Sequence, residues 1–345
     1  MPLSSWIPHI LTVVGFCSTS IINTVFIYLT VFRIKKIQGA YKKMITIFAL
    51  IGIVFAFWEL LTRPFAHNWR RGLLYFSLDP WIQNRQLLNI ALLVYASFYL
   101  VILANIAVQF AFRYSTLANP RLAHSFNGFS GVSLWLGYSL VSGAIYGGGL
   151  YFLCSPDEFS DEYMSGIIMD TYNVSVYNVS RFAIIPYEED GSVRLPDLCF
   201  LFIGISILGL QYFVIVFCGL KMQRIFKREI RLFSNINRDL QRQFFRALIV
   251  QTIVPTVLFV LPIAPFLIGP LLFPVLPDFQ LNFPTGWMYV VLCLYPPIDT
   301  VAFMCIVSEY KRRTLELFKP VLPKIFRVSS ETSTTASAAK HKNYN

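Results

Sequence analysis

The sequence predicts an all-α membrane protein: a bundle of seven transmembrane helices, N-terminus outside, with a short interfacial helix after the seventh. Three observations predict it: an apolar composition, seven apolar stretches of membrane-spanning length, and a lopsided placement of Lys and Arg. The 345 residues are 56% hydrophobic and 14% charged, with a mean hydropathy of +0.58. Soluble domains are roughly 45–50% apolar and about 25% charged. A soluble fold of this size has no interior for the excess, whereas a bilayer does, because side chains facing lipid need not be polar.

A helix needs about 20 apolar residues to cross about 30 Å of hydrocarbon at about 1.5 Å per residue. Stretches of that length lie at roughly 7–32, 44–62, 87–112, 128–153, 198–220, 247–273 and 285–307. The first has no basic segment before it and no small-residue cleavage site after it, so it reads as a helix rather than a signal peptide. Alternate connections divide the cations 23 to 6, the larger group lying around residues 33–43, 113–121, 221–246 and beyond 307. Basic connections stay on the cytoplasmic side, which puts the tail inside. The net charge of +11 is thereby explained without nucleic acid.

In the second stretch, Glu59 is an intramembrane carboxylate. It either faces a ligand pocket or pairs at the interface with Arg63, one turn on at i+4. The third carries Asn89, Tyr95, Ser97, Tyr99, Asn105 and Gln109. Such groups face the bundle, and the spacing puts Tyr95 and Tyr99 on one face. In the fourth, Ser139, Gly143 and Gly147 form a small-residue stripe suited to close helix approach.

The long acidic connection 154–197 bears Asn173-Val174-Ser175 and Asn178-Val179-Ser180, two N-glycosylation acceptors on the side assigned outside. Cys154 and Cys199 flank it; a disulfide and two separate thiols both fit the residues. The sixth stretch is dense in proline (Pro255, Pro262, Pro265 and Pro270, with Pro274 and Pro277 beyond), which suggests a hinge or an irregular static helix. Ahead of it, Lys221 to Arg246 carries a net charge of +6, suited to anionic lipid or an acidic partner. Phe244 and Phe245 beside Arg242 and Arg246 suggest that this connection runs straight into the sixth helix. Residues 308–319 separate apolar from basic faces as an interfacial helix does, and Pro320 ends it. The receptor domain is then 1–327, and the Ser/Thr-rich 328–345 reads as a disordered tail.

Enzyme signatures (H-E-x-x-H, G-x-S-x-G, a Walker loop) are absent, as are C-x-x-C pairs among the six cysteines. No lysine lies in any span, which excludes a retinal Schiff base. With two intramembrane carboxylates and no repeat, a transporter is poorly supported.

Several blocks carry a family resemblance: Arg63-Pro64-Phe65-Ala66-His67, Phe112-Arg113-Tyr114, the run from Gln243-Phe244-Phe245-Arg246 to Val254-Pro255, Tyr295-Pro296-Pro297-Ile298-Asp299, and Tyr310-Lys311-Arg312. On these the chain resembles the nematode chemosensory serpentine receptors of the Str superfamily, of the str and srj type, over nearly its whole length. The resemblance implies a rhodopsin-like receptor architecture and a multi-pass plasma-membrane protein of sensory-neuron cilia, with no enzyme activity and no cofactor. It further implies a small odorant or pheromone-like ligand and a heterotrimeric G protein. Arg113 and Tyr114 stand where other seven-helix receptors carry an acidic-Arg-Tyr triplet. Phe112 replaces the acid, so no local Arg–acid lock forms. The seventh span lacks Asn-Pro-x-x-Tyr, and no cysteine stands at the outer end of the third. The expected ligand contacts are Glu59, Tyr95 and Tyr99; the expected G-protein contacts are Arg113, Tyr114, Arg242 and Arg246. A ligand-gated odorant channel and a transporter are the alternatives.

Overall fold

A computed structural model describes residues 6–318 apart from 36, 38, 79, 189, 229–234, most of 262–280, and 285–291. The tail 328–345, the prolines at 262, 265, 270, 274, 277 and 320, and the stretch 285–291 lie outside the described residues.

The chain forms a helical bundle with a small α/β cap at one end. α1 (Trp6–Tyr28) runs into a wide π turn at Leu29–Arg33, and α2 (Gly39–Thr62) returns alongside it. β1 (Pro64–Arg70) and β2 (Gly72–Ser77) form a hairpin, α3 (Arg85–Ala118) crosses again, and α4 (Pro120–His124) is a single turn. α5 (Gly128–Leu153) leads to α6 (Glu158–Tyr172) and β3 (Arg181–Ile184). α7 (Leu195–Arg228) and α8 (Asn235–Pro255) follow, then β4 (Leu281–Pro284), α9 (Tyr295–Ile306) and α10 (Ser308–Phe318).

Among the described residues, five helices (α1, α2, α3, α5 and α7) are long and apolar enough to cross a bilayer. Several outrun their apolar stretches: α3 has 34 residues, about 51 Å at ~1.5 Å per residue. α8 starts at Asn235, ahead of the stretch 247–273, because hydropathy marks only the part facing lipid. Phe129 is 90% and Phe152 80% exposed, as suits a helix whose outer face meets lipid rather than water.

α3 is the bundle's axis, packed on α2, α5, α7 and α8. The side chain of Asn84 caps it by accepting from Leu87 N at 3.1 Å, satisfying a backbone donor left over at the helix start. Its approach to α5 depends on the small-residue stripe. A Cβ on Gly143 would sit 2.6 Å from Val101 Cγ2, and one on Gly147 2.2 Å from Ser97 Oγ.

The connection 154–197 is a folded cap, not an irregular loop. Asp157 and Ser160 close a reciprocal capping box at the start of α6. β3 then joins the hairpin in a sheet of order β3-β2-β1-β4, all antiparallel. Leu74, Phe76, Met164, Ile168 and Ile185 fill the space between the sheet and α6. Gly72 lies against this layer: a Cβ there would meet the flexible end of Met164, Cε, at 2.6 Å. Arg181 reaches Asp161 in a buried, two-armed ion pair. Tyr75, Phe182 and Ile184 continue into the core formed with Leu92 and Tyr95, so cap and bundle share one interior.

Candidate functional site

At the cap end, α2 and α3 bring Glu59, Tyr95 and Tyr99 together. Phe55, one turn before Glu59, stacks on Tyr95 at 5.2 Å and meets Tyr99 edge-on at 5.9 Å. Tyr95 and Tyr99 are edge-to-face at 5.4 Å, as residues one helical turn apart on one face should be. Two bonds fix this layer to α3: Trp58 Nε1 donates to Ala91 O at 2.8 Å, and the Tyr75 hydroxyl donates to Leu92 O at 3.0 Å. Glu59 is 1% exposed, with the Tyr95 hydroxyl beside its carboxylate and Cys293 near it.

The Glu59–Arg63 pairing is not made. α2 ends at Thr62, and although the Arg63 N–H still donates to Glu59 O at 2.9 Å, its left-handed φ of +42° turns the side chain off the face that carries Glu59. Its Nη2 lies 2.7 Å from His9 Nδ1 on α1 instead. Asn173 and Asn178 are exposed on the cap, Asn173 as the left-handed C-cap of α6. Cys154 and Cys199 are separate free thiols, Cys154 being buried. The bridge left open by the sequence is not formed, and burial pushes the Cys154 thiol up.

Midway, polar side chains join helices that are distant in sequence. Thr300 Oγ1 donates to Asn23 Oδ1 at 2.6 Å, and Asn23 Nδ2 to Ala49 O at 3.0 Å, tying α9, α1 and α2. Gln251 Nε2 donates to Asp299 Oδ2 at 2.9 Å, tying α8 to α9. α8 reaches Pro255 and passes into a π turn at Thr256–Val260, where the Thr256 hydroxyl lies 2.6 Å from that of Tyr212 on α7. Proline has no N–H to continue the ladder, and a π turn widens the helix where it is broken.

At the opposite, basic end, Arg113 is 6% exposed. Its guanidinium carbon lies 3.3 Å from the ring centre of Tyr41 on α2 and 4.1 Å from that of Phe244 on α8. Its Nη1 donates to Gln241 Oε1 at 3.2 Å. Tyr114 turns away, edge-on to Phe217 of α7 at 6.4 Å. Arg242 and Arg246 are exposed, while Phe244, Ala247 and Leu248 of the same helix are buried. Thus Arg113 is inside the bundle, and Arg242 and Arg246 are on its surface. Sequence reasoning missed Tyr41, Gln241 and Phe244 as partners of Arg113. Tyr41 had a signal: it is an aromatic residue beside Lys42 and Lys43 at the basic end of an apolar span. Among the described residues, no group of three or more His, Cys, Asp or Glu is placed to hold a metal ion.

The chain matches the family described as serpentine type seven-transmembrane GPCR chemoreceptor Str over residues 8–315. It is 37% identical over 312 residues to the G-protein coupled receptor str-33 of Caenorhabditis elegans, covering 88% of each chain. It is 26% identical over 330 residues to the serpentine receptor class r-10 of C. elegans, covering 94% of this chain and 93% of that one. The class r-10 receptor of Caenorhabditis briggsae is also 26% identical, over 331 residues.

Proposed function

This chain belongs to the Str family of serpentine seven-transmembrane chemoreceptors, and we propose that it detects a small odorant or pheromone-like ligand and signals to a heterotrimeric G protein. In this reading the cap end faces the outside of the plasma membrane and the basic end faces the cytoplasm. The division of cations supports that orientation, as do two exposed glycosylation acceptors on the cap. The ligand binds under the cap, where Glu59, Tyr95 and Tyr99 converge between α2 and α3. Arg113 and Tyr114, with Arg242 and Arg246, form the G-protein contact.

The observation that carries the reading is the change from α to π winding at Pro255, where proline also removes a ladder hydrogen bond. It lies between the cap-end cluster and the basic end, at a point linked to α7 and followed on α8's basic side by the Gln251 link to α9. A helix interrupted there can shift its basic half without unfolding. A ligand that binds the shifted arrangement better raises that arrangement's population. Displacing the basic half of α8 would open the space around Arg113 to a partner.

The test is expression of the full chain with a reporter heterotrimer and challenge with a panel of small odorants. Ligand-evoked signals should disappear when the G protein is inhibited. A ligand-evoked current that persists under inhibition overturns the proposal in favour of a channel.

A further inference from the structure

Arg113 is a buried cation, and among the described residues no carboxylate forms an ion pair with it. A charge taken out of water needs compensation. What surrounds this one is aromatic: the ring faces of Tyr41 and Phe244 at 3.3 and 4.1 Å from the guanidinium carbon, with Gln241 Oε1 accepting from Nη1. A ring face carries negative charge density and attracts a guanidinium most strongly where water is excluded. The rings also hold each other, Tyr41 meeting Phe244 edge-on at 5.1 Å and stacking on Phe112 at 6.1 Å.

The partners come from different helices: Tyr41 from α2, Gln241 and Phe244 from α8, Arg113 from α3. We infer that Tyr41, Gln241 and Phe244 are positioning residues for Arg113, an aromatic clamp that holds the basic end closed in the resting receptor. The clamp replaces the acid that Phe112 removes from the neighbouring position. Movement of α8 away from α3 takes Phe244 and Gln241 with it, so it uncovers Arg113 and breaks two of the three contacts in one step. This inference rests on the G-protein reading for its purpose but not for its geometry. Neither an arginine cation nor a ring face titrates near neutrality, so the clamp is indifferent to pH, unlike a carboxylate lock.

The deciding measurement is the distance between α3 and α8 at the basic end. Spin labels at Ala118→Cys and Arg242→Cys would report it, in full-length receptor with the exposed Cys17 and Cys305 replaced by Ser. Basal nucleotide exchange on a heterotrimer is read alongside in the same variants without labels or cysteine substitutions, so that Arg242 is kept. Tyr41→Leu and Phe244→Leu should each move the population toward the longer distance by about 5–30-fold, as loss of one or two kcal/mol would. Tyr41→Phe should restore the parent distance, because the ring face is kept. Phe245→Leu removes a ring that packs on Phe226 at 5.5 Å, not on Arg113, and should leave the distance unchanged. Gln241→Leu, at a half-buried position, serves if a ring deletion fails to fold. Unchanged distances in Tyr41→Leu, Phe244→Leu and Gln241→Leu overturn the clamp. A lengthened distance with no exchange on any heterotrimer leaves the clamp standing and overturns the G-protein reading.

Discussion

Gln251 on α8 and Asp299 on α9 share a hydrogen bond of 2.9 Å in the bundle interior. Both residues are buried. A net hydrogen bond contributes about 0.5–1.5 kcal/mol, about 1.5–3 to a charged partner, and orphaning a buried partner costs about 1–3. Gln251→Leu or Asp299→Leu should therefore lower stability in detergent by about 1–3 kcal/mol. The double change should cost less than the sum, with a coupling of about 0.5–3 kcal/mol. Additive thermal-unfolding losses would show that the two act separately.

The stripe on α5 predicts a position-specific intolerance. Gly143→Ala places its methyl 2.6 Å from Val101 and 2.9 Å from Ser97 O, whereas a Cβ at Gly137 or Gly148 meets nothing within 4 Å. Overpacking costs about 1–3 kcal/mol, so Gly143→Ala should lower the unfolding temperature. Gly137→Ala and Gly148→Ala should leave it unchanged or raise it, since alanine favours helix by about 1 kcal/mol over glycine.

The cap should weaken in acid. His67 is buried on β1, its Nδ1 3.2 Å from the Tyr172 hydroxyl. Burial lowers its pKa, only partly offset by a bond with Asn282. The unfolded chain then binds the proton more readily than the folded one. Stability is full above the unfolded value of about 6.5 and is lost as pH falls below it. Hydrogen-exchange protection of the β1 and β2 amides should drop between about pH 7.5 and 5, and His67→Gln should flatten that slope.

Topology gives the most direct check on orientation. A tag before Met1 should be visible on intact cells, and a tag after Asn345 only after permeabilisation. Asn173→Gln and Asn178→Gln should each remove one glycosidase-sensitive mass step. A hidden N-terminal tag overturns the orientation.

The membrane bundle was legible because hydrophobic length and charge placement are one-dimensional signals. The convergence of Glu59, Tyr95 and Tyr99 was partly so, as four-residue spacing determines a shared helix face. The partner of Arg63 was not legible, because a left-handed residue after α2 turns its side chain toward His9. The cap sheet was hidden for two reasons. Its hairpin turns at Arg70, with φ +51°, instead of at an Asn-Gly or Asp-Gly signal. Its outer strands come from distant parts of the chain. The clamp was hidden likewise, since Tyr41 and Phe244 meet Arg113 only once three helices have assembled.

The sheet also imposes an order of assembly. β1 pairs on one side with β2, its neighbour in the chain, and on the other with β4, at Arg70↔Leu281 through His67↔Pro284. Synthesis runs from the N-terminus, so the far edge of β1 stays unsatisfied until nearly the whole receptor has been made. An open edge is a template for pairing with another chain. A receptor truncated before Leu281 would carry that adhesive edge permanently, and cells making one would face aggregation rather than simple loss of the protein's activity.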